Sequence, residues 1–197
     1  MTPGPTPVPP EVLLAQGSPI VYHRGPGFGA VLRDVTEGLQ WIYQTRNDVL
    51  TFTCSGSGGM EAAVVNVFSP GDKVLVVSVG NFGQRFVKIC KAYGLEVKPL
   101  EYEWGKTAKA ADVKAALEPD IKGVLIQHSE TSTGVINDIE PIGAVVKDHP
   151  ALINAIIRCR VSSRIGSTFA CWSAVRSSAL VSRSRSCWPQ SRCRSWW

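Results

Sequence analysis

Between residues 73 and 127 the sequence alternates between short, nearly continuous apolar runs and stretches with helical spacing. The apolar runs are Lys73 to Val79, Leu95 to Leu100 and Gly123 to Gln127. Gln84 to Tyr93, with Gly94 as its stop, and Ala108 to Leu117 read as the helices between them. A strand that is apolar on both sides must be covered on both faces, and a helical crossover returns the chain in the same direction. The expected fold is therefore α/β, a mostly parallel sheet with helices on both faces. The pattern extends outward. Phe28, Val31, Leu32, Val35, Leu39 and Ile42 fall at helical spacing, as do Met60, Val64 and Val67. Val49 to Thr53 is a short β-rich run, Ser69-Pro70-Gly71-Asp72 a turn, and Ile139 to Lys147 a helix.

The alternation stops near Ala151. Ala151-Leu152-Ile153 starts as another strand would, but from Ala151 on the chain holds 11 Ser, 8 Arg, 4 Cys and 4 Trp with no Lys, Asp or Glu. The net charge of +5 hides this split. Residues 1–150 carry 13 Lys and Arg against 16 Asp and Glu, and every later charged side chain is an Arg. Three parts follow: an N-terminal arm at 1–25 whose proline-rich opening, Thr2 to Pro10, is expected to be extended, a domain at 26–153, and an Arg/Ser/Cys/Trp-rich tail at 154–197. The tail has no period and is expected to lack packed structure. A shifted reading frame in a GC-rich gene yields such a composition and is its expected origin. A basic tail that binds RNA is the rival, but only Ser182 to Ser186 repeats, so nucleic acid is not an expected partner.

Several classes are set aside. No apolar run approaches the ~18–20 residues that span a bilayer. Met1 to Pro10 has no Lys or Arg and does not read as a signal peptide. Cys54 and Cys90 are the sole cysteines before residue 151, a sparse use that suits a reducing, cytoplasmic compartment. The spacing of Cys159, Cys171, Cys187 and Cys193 argues against a zinc site. His23 and His128 have no Ser–His–acid spacing around them, so a hydrolase is not expected.

Three segments could carry chemistry, each directly after a strand. Ser55-Gly56-Ser57-Gly58-Gly59 opens a helix, where free N–H groups and the helix dipole attract an anion. It lacks the Gly-Lys-Ser/Thr of a P-loop, and Glu61 stands where a dinucleotide fingerprint needs Gly. A flexible strand–helix turn is the alternative. Gly80-Asn81-Phe82-Gly83-Gln84-Arg85 offers an aromatic that could stack on a planar ligand or serve as a core residue. Ser129-Glu130-Thr131-Ser132-Thr133-Gly134 offers hydroxyls to a ligand, or caps a turn. The carboxyl ends of parallel strands are where open α/β sheets bind ligands.

Together with Pro3-Gly4-Pro5-Thr6-Pro7-Val8-Pro9 and Tyr22-His23-Arg24-Gly25, these segments resemble a class V aminotransferase, specifically the alanine–glyoxylate and serine–pyruvate group of fold type I pyridoxal-phosphate enzymes. The resemblance covers residues 1 to about 153, in family order. It implies a large domain of the PLP-transferase type, here incomplete, and pyridoxal 5'-phosphate as cofactor. Ser57, Gly58 and Gly59 would hold the phosphate, Phe82 would stack on the pyridine ring, and Thr131 would bond near its phenolic oxygen. Gly4 would approach the substrate carboxylate. The implied reaction moves an amino group from a small amino acid, alanine or serine, to glyoxylate or another 2-oxo acid, in a homodimer.

The departure falls after Gly134. The family continues with an Asp that pairs with the pyridine nitrogen and then a Schiff-base Lys. Here nothing after Asp148 is acidic and Lys147 is the last lysine. No catalytic residue can be assigned, and transamination by this chain is expected to be nearly abolished. A non-catalytic remnant that binds phosphate or the cofactor is the alternative.

Overall fold

The computed structural model describes residues 7–43, 46–147, 149, 154–159 and 170–175, the last two ranges by their backbone. In chain order the helices are α1 (Pro10–Gln16), α2 (Pro26–Tyr43), α3 (Gly56–Val67), α4 (Asn81–Ala92), α5 (Ala110–Ala116) and α6 (Ile139–Lys147). The strands are β1 (Lys73–Ser78), β2 (Glu96–Glu101), β3 (Ile121–Gln127), β4 (Ser129–Glu130), β5 (Val135–Ile136), β6 (Asn154–Cys159) and β7 (Ala170–Val175).

The main sheet has the order β2-β1-β3-β6-β7. Its β1–β2, β1–β3 and β3–β6 pairs are parallel, as the alternation of apolar runs and helices requires. Side chains of β1 alternate between two cores. Val74 and Val76 pack with Met60, Val64, Phe86 and Cys90 of α3 and α4. Leu75 and Val77 pack with Val113, Ile142 and Val146 of α5 and α6. Leu125 joins the first cluster, and Val124 and Ile126 the second. Each of these strand positions is buried on its own face, which is why the runs read as continuously apolar rather than alternating. β2 lies at the sheet edge and tolerates Pro99, which has no N–H to give a ladder.

Helix α4 ends as expected at Gly94. There φ is 74°, Gly94 N–H donates to the Lys91 carbonyl at 3.1 Å, and Leu95 N–H donates to the Cys90 carbonyl at 3.0 Å. These two bonds satisfy the Cys90 and Lys91 carbonyls in the last turn, and the left-handed residue of the turn is a glycine. The turn at Ser69–Asp72 also forms, with Ser69 N–H donating to Asp72 Oδ2 at 2.9 Å.

Some expectations are corrected. Val49–Thr53 is not a strand: among the described residues it pairs with no strand, and strand propensity is a preference for such a setting. The extended opening reaches only to Pro9, because α1 begins at Pro10, in a first turn where no N–H is needed, and residues 1–6 lie outside the described residues. Helix α4 starts at Asn81 rather than Gln84. Regular structure also continues past residue 153. β6 runs parallel to β3, with Leu125 opposite Ala155, and β7 runs antiparallel to β6. Main-chain pairing builds these two strands and needs no side-chain period. The rest of the 154–197 tail, like Ala151–Ile153, lies outside the described residues.

Candidate functional site

Strands β1 and β3 are neighbours and parallel, so their carboxyl ends lie at the same edge of the sheet. Beyond β1 the chain passes through Gly80 into α4, and beyond β3 it passes through His128 into β4. The buried Asn137 anchors the second exit. Its Oδ1 accepts from Ala108 N–H at 2.9 Å, its Nδ2 donates to the Gln127 carbonyl at 2.8 Å, and its own N–H donates to the His128 carbonyl at 2.8 Å.

The two exits are bonded to each other through Glu130. Its carboxylate accepts from Phe82 N–H at 3.0 and 3.2 Å and from Gly83 N–H at 3.1 Å. The Ser132 hydroxyl donates to it at 2.5 Å, and Asn81 N–H donates to the Ser132 oxygen at 3.0 Å. Gly80 leaves the room this needs, since a Cβ there would lie 2.6 Å from Glu130 Cγ. Thr131, between the two capping residues, is exposed.

Helix α3 reaches the same place through Arg85. Its Nη1 donates to Ser57 Oγ at 2.5 Å, and its Cζ lies 4.9 Å from the Phe82 ring centroid. This is a favourable cation–aromatic geometry. Ser55 precedes α3 with extended backbone and gives no side-chain cap. Gly58 and Gly59 N–H both turn to the Ser55 carbonyl, at 2.9 and 3.4 Å. Among the described residues nothing accepts from the N–H of Gly56 or Ser57. Gly58 permits close approach of the preceding loop, because a Cβ would sit 2.6 Å from Cys54 Sγ.

The structure thus brings five expected positions into one neighbourhood. Ser57 is bridged by Arg85 to the helix that bears Phe82, and Phe82 is bonded through Glu130 to the loop that bears Thr131. Gly58 follows Ser57 in the first turn of α3, with Gly59 next. Gly4 lies outside the described residues. Sequence reasoning quoted Glu130 and Arg85 inside their motifs but gave neither a role. The signal for Glu130 was an acid among hydroxyls directly after a strand. Cys90 is no candidate: burial pushes its thiol up to about 12, which keeps it protonated and inert.

These groups fit a phosphorylated planar ligand in part. Free N–H donors at a helix start and an arginine suit a phosphate, a half-buried aromatic suits a ring, and an exposed hydroxyl suits a ring substituent. No lysine or aspartate belongs to the set.

The family model described as "Aminotransferase class-V" matches residues 5–156. A protein named soluble hydrogenase 42 kDa subunit, from Anabaena cylindrica, is 45% identical over 153 residues, which are 76% of this chain and 40% of that protein. The L-aspartate–glyoxylate aminotransferase of Paracoccus denitrificans is 38% identical over 158 residues, 77% of this chain and 40% of that protein. Among solved structures, a subgroup IV aspartate aminotransferase from Thermus thermophilus superposes with a TM-score of 0.74 at 35% identity, covering 79% of this chain and 44% of that one. The chain spans about 40% of the length of the curated relatives it matches. Its sheet and covering helices are a partial large domain of the fold type I aminotransferases. The chain is a member of the class-V aminotransferase family.

Proposed function

We propose that this chain carries the cofactor-binding part of a pyridoxal-phosphate-dependent aminotransferase acting between a small amino acid, such as alanine or serine, and glyoxylate or another 2-oxo acid. We propose further that the chain itself binds the cofactor without turning over substrate. The observation that supports the reading is the path from Ser57 through Arg85, Phe82 and Glu130 to Thr131, which brings the positions that the resemblance assigns to the cofactor to one sheet edge. The Paracoccus relative, named as an L-aspartate–glyoxylate aminotransferase, supports glyoxylate as the acceptor.

Each residue has a defined task in this reading. The N–H groups at the start of α3 and the Ser57 hydroxyl would take the phosphate, with Arg85 beside them as counter-charge. Phe82 would lie against the ring and exclude water from one side of it. Thr131 would donate to the ring's phenolic oxygen, and Gly4 would approach the substrate carboxylate. When bound, the cofactor supplies an electron sink for the amino acid's α-carbon. Moving the proton at that carbon needs a lysine, and keeping the ring nitrogen charged needs an acid. Residues 149–197 contain neither, although the family places both there. A frame-shifted origin of that segment accounts for both losses, and a one-base shift in the coding DNA that restores an Asp and a Lys would support it. A cytoplasmic, homodimeric setting completes the proposal; the apolar residues left exposed on α2 support the dimer.

Titration of the purified chain with pyridoxal 5'-phosphate, followed by absorbance and tryptophan fluorescence, tests the reading together with an alanine–glyoxylate assay. Saturable binding that inorganic phosphate competes away, with no turnover above that of free cofactor, is the expected result. Turnover above that background refutes the inactive-chain part, and absence of binding refutes the cofactor site.

A further inference from the structure

Glu130 has no exposed surface, yet it is a carboxylate. N–H and O–H donors compensate its burial: both oxygens accept from Phe82 N–H, one also from Gly83 N–H, and the other from the Ser132 N–H at 3.3 Å and hydroxyl at 2.5 Å. Through the Ser132 oxygen the same loop takes the Asn81 N–H, while Gln84 N–H returns to the Gly80 carbonyl at 3.1 Å. The orphan donors of Asn81, Phe82 and Gly83 at the start of α4 are therefore satisfied by the Glu130–Ser132 loop, and a carboxylate sits at the positive end of that helix. The start of α3 differs, because Gly56 and Ser57 N–H have no acceptor among the described residues. Glu130 and Ser132 also bracket Thr131, so the bonds that close α4 fix the backbone of Phe82 against that of Thr131.

We infer that Glu130 is a positioning residue for the cofactor ring: it locks the stacking residue Phe82 to the hydroxyl residue Thr131 and fills the start of α4, leaving the start of α3 for the phosphate. This rests on the cofactor reading above. Glu130 touches neither ring nor phosphate in that reading, and it acts through the two residues that do. A neutral amide of the same size breaks the arrangement, because its NH₂ faces N–H donors where an oxygen accepts now.

The test compares the full chain with Glu130→Gln and Ser132→Ala. Titration measures affinity for pyridoxal 5'-phosphate and, by competition, for inorganic phosphate. Hydrogen exchange measures protection of the Phe82 and Gly83 amides. In Glu130→Gln the cofactor affinity is expected to fall about tenfold while phosphate affinity stays within about twofold, the loss corresponding to a buried charge-assisted hydrogen bond. Phe82 and Gly83 amides are expected to exchange faster. Ser132→Ala shifts the same quantities in the same direction by less, and carries the comparison if Glu130→Gln does not fold. Equal cofactor affinity in the variants and the unsubstituted chain overturns the inference alone. So does a parallel loss of cofactor and phosphate affinity, the mark of general disruption. Failure of the unsubstituted chain to bind the cofactor overturns the cofactor reading, and this inference with it.

Discussion

At Gly80 one added methyl group meets Glu130 Cγ at 2.6 Å, Ser132 Oγ at 2.7 Å and Glu130 Cδ at 2.8 Å. None of these atoms can swing aside, because Glu130 is buried and held by the bonds that cap α4. Gly80→Ala is therefore expected to destabilise the chain by about 1–3 kcal/mol, the usual cost of overpacking. A urea midpoint unchanged from that of the parent chain would show that the cap is looser than its geometry. Residue positions were legible in the sequence where the signal was local. Ser57 stands in a glycine-rich helix start, and Phe82 directly follows a strand. Glu130 was not legible, because its partners Phe82 and Gly83 lie 48 and 47 residues away. The same distance explains the misplaced start of α4, whose cap comes from another loop and leaves no mark next to the helix.

Elements were legible where burial acts on both faces. Val74 and Val76 face α3 and α4 while Leu75 and Val77 face α5 and α6, so β1 shows in the sequence as one apolar run. Val49 to Thr53 has similar residues but pairs with no strand among the described residues, and its side chains decide nothing alone. Charged residues join the elements at the opposite, amino-terminal end of the sheet. Glu118, after α5, accepts from Lys73 of β1 at 2.5 Å and from Lys98 of β2. The bonds from Lys73 and Lys98 hold its carboxyl down, from 4.5 to about 2. A carboxyl depressed in the folded state stabilises the chain above its unfolded pKa and loses that contribution as pH falls towards the folded value. Glu118→Gln is thus expected to be less stable than the parent near neutrality, and the gap should close as pH falls from about 4.5 to about 2. Salt should narrow the gap too, because Glu118 is partly exposed to solvent. Denaturation midpoints across that range check this; a gap that widens in acid rejects the assignment.

Across the whole molecule, apolar surface is distributed unevenly between the sheet and the first two helices. Two covered faces bury the residues of β1 and β3, whereas no residue of α1 or α2 is buried. On α2, Val31, Leu32 and Val35 lie within one helical turn of each other and are exposed by 54%, 49% and 44%. Trp41, further along the helix, is exposed by 74%. The sequence made this helix legible through its spacing, but the same spacing could not say what the apolar stripe faces. In a chain that folds as a lone unit such a stripe turns inward; one left outward marks a surface for another molecule. A second copy of the chain would satisfy it, since a two-fold arrangement lets the same stripe meet itself. Sedimentation velocity across a concentration series is expected to show a dimer that dissociates on dilution. The double substitution of Val31→Glu and Val35→Glu should shift it to monomer, because each carboxylate would be buried against its symmetry mate without a counter-charge. The far-ultraviolet circular dichroism of the sheet should remain, as neither residue belongs to its two cores. A parent chain that sediments as a monomer at every concentration, or a dimer indifferent to both charges, would remove α2 from the interface.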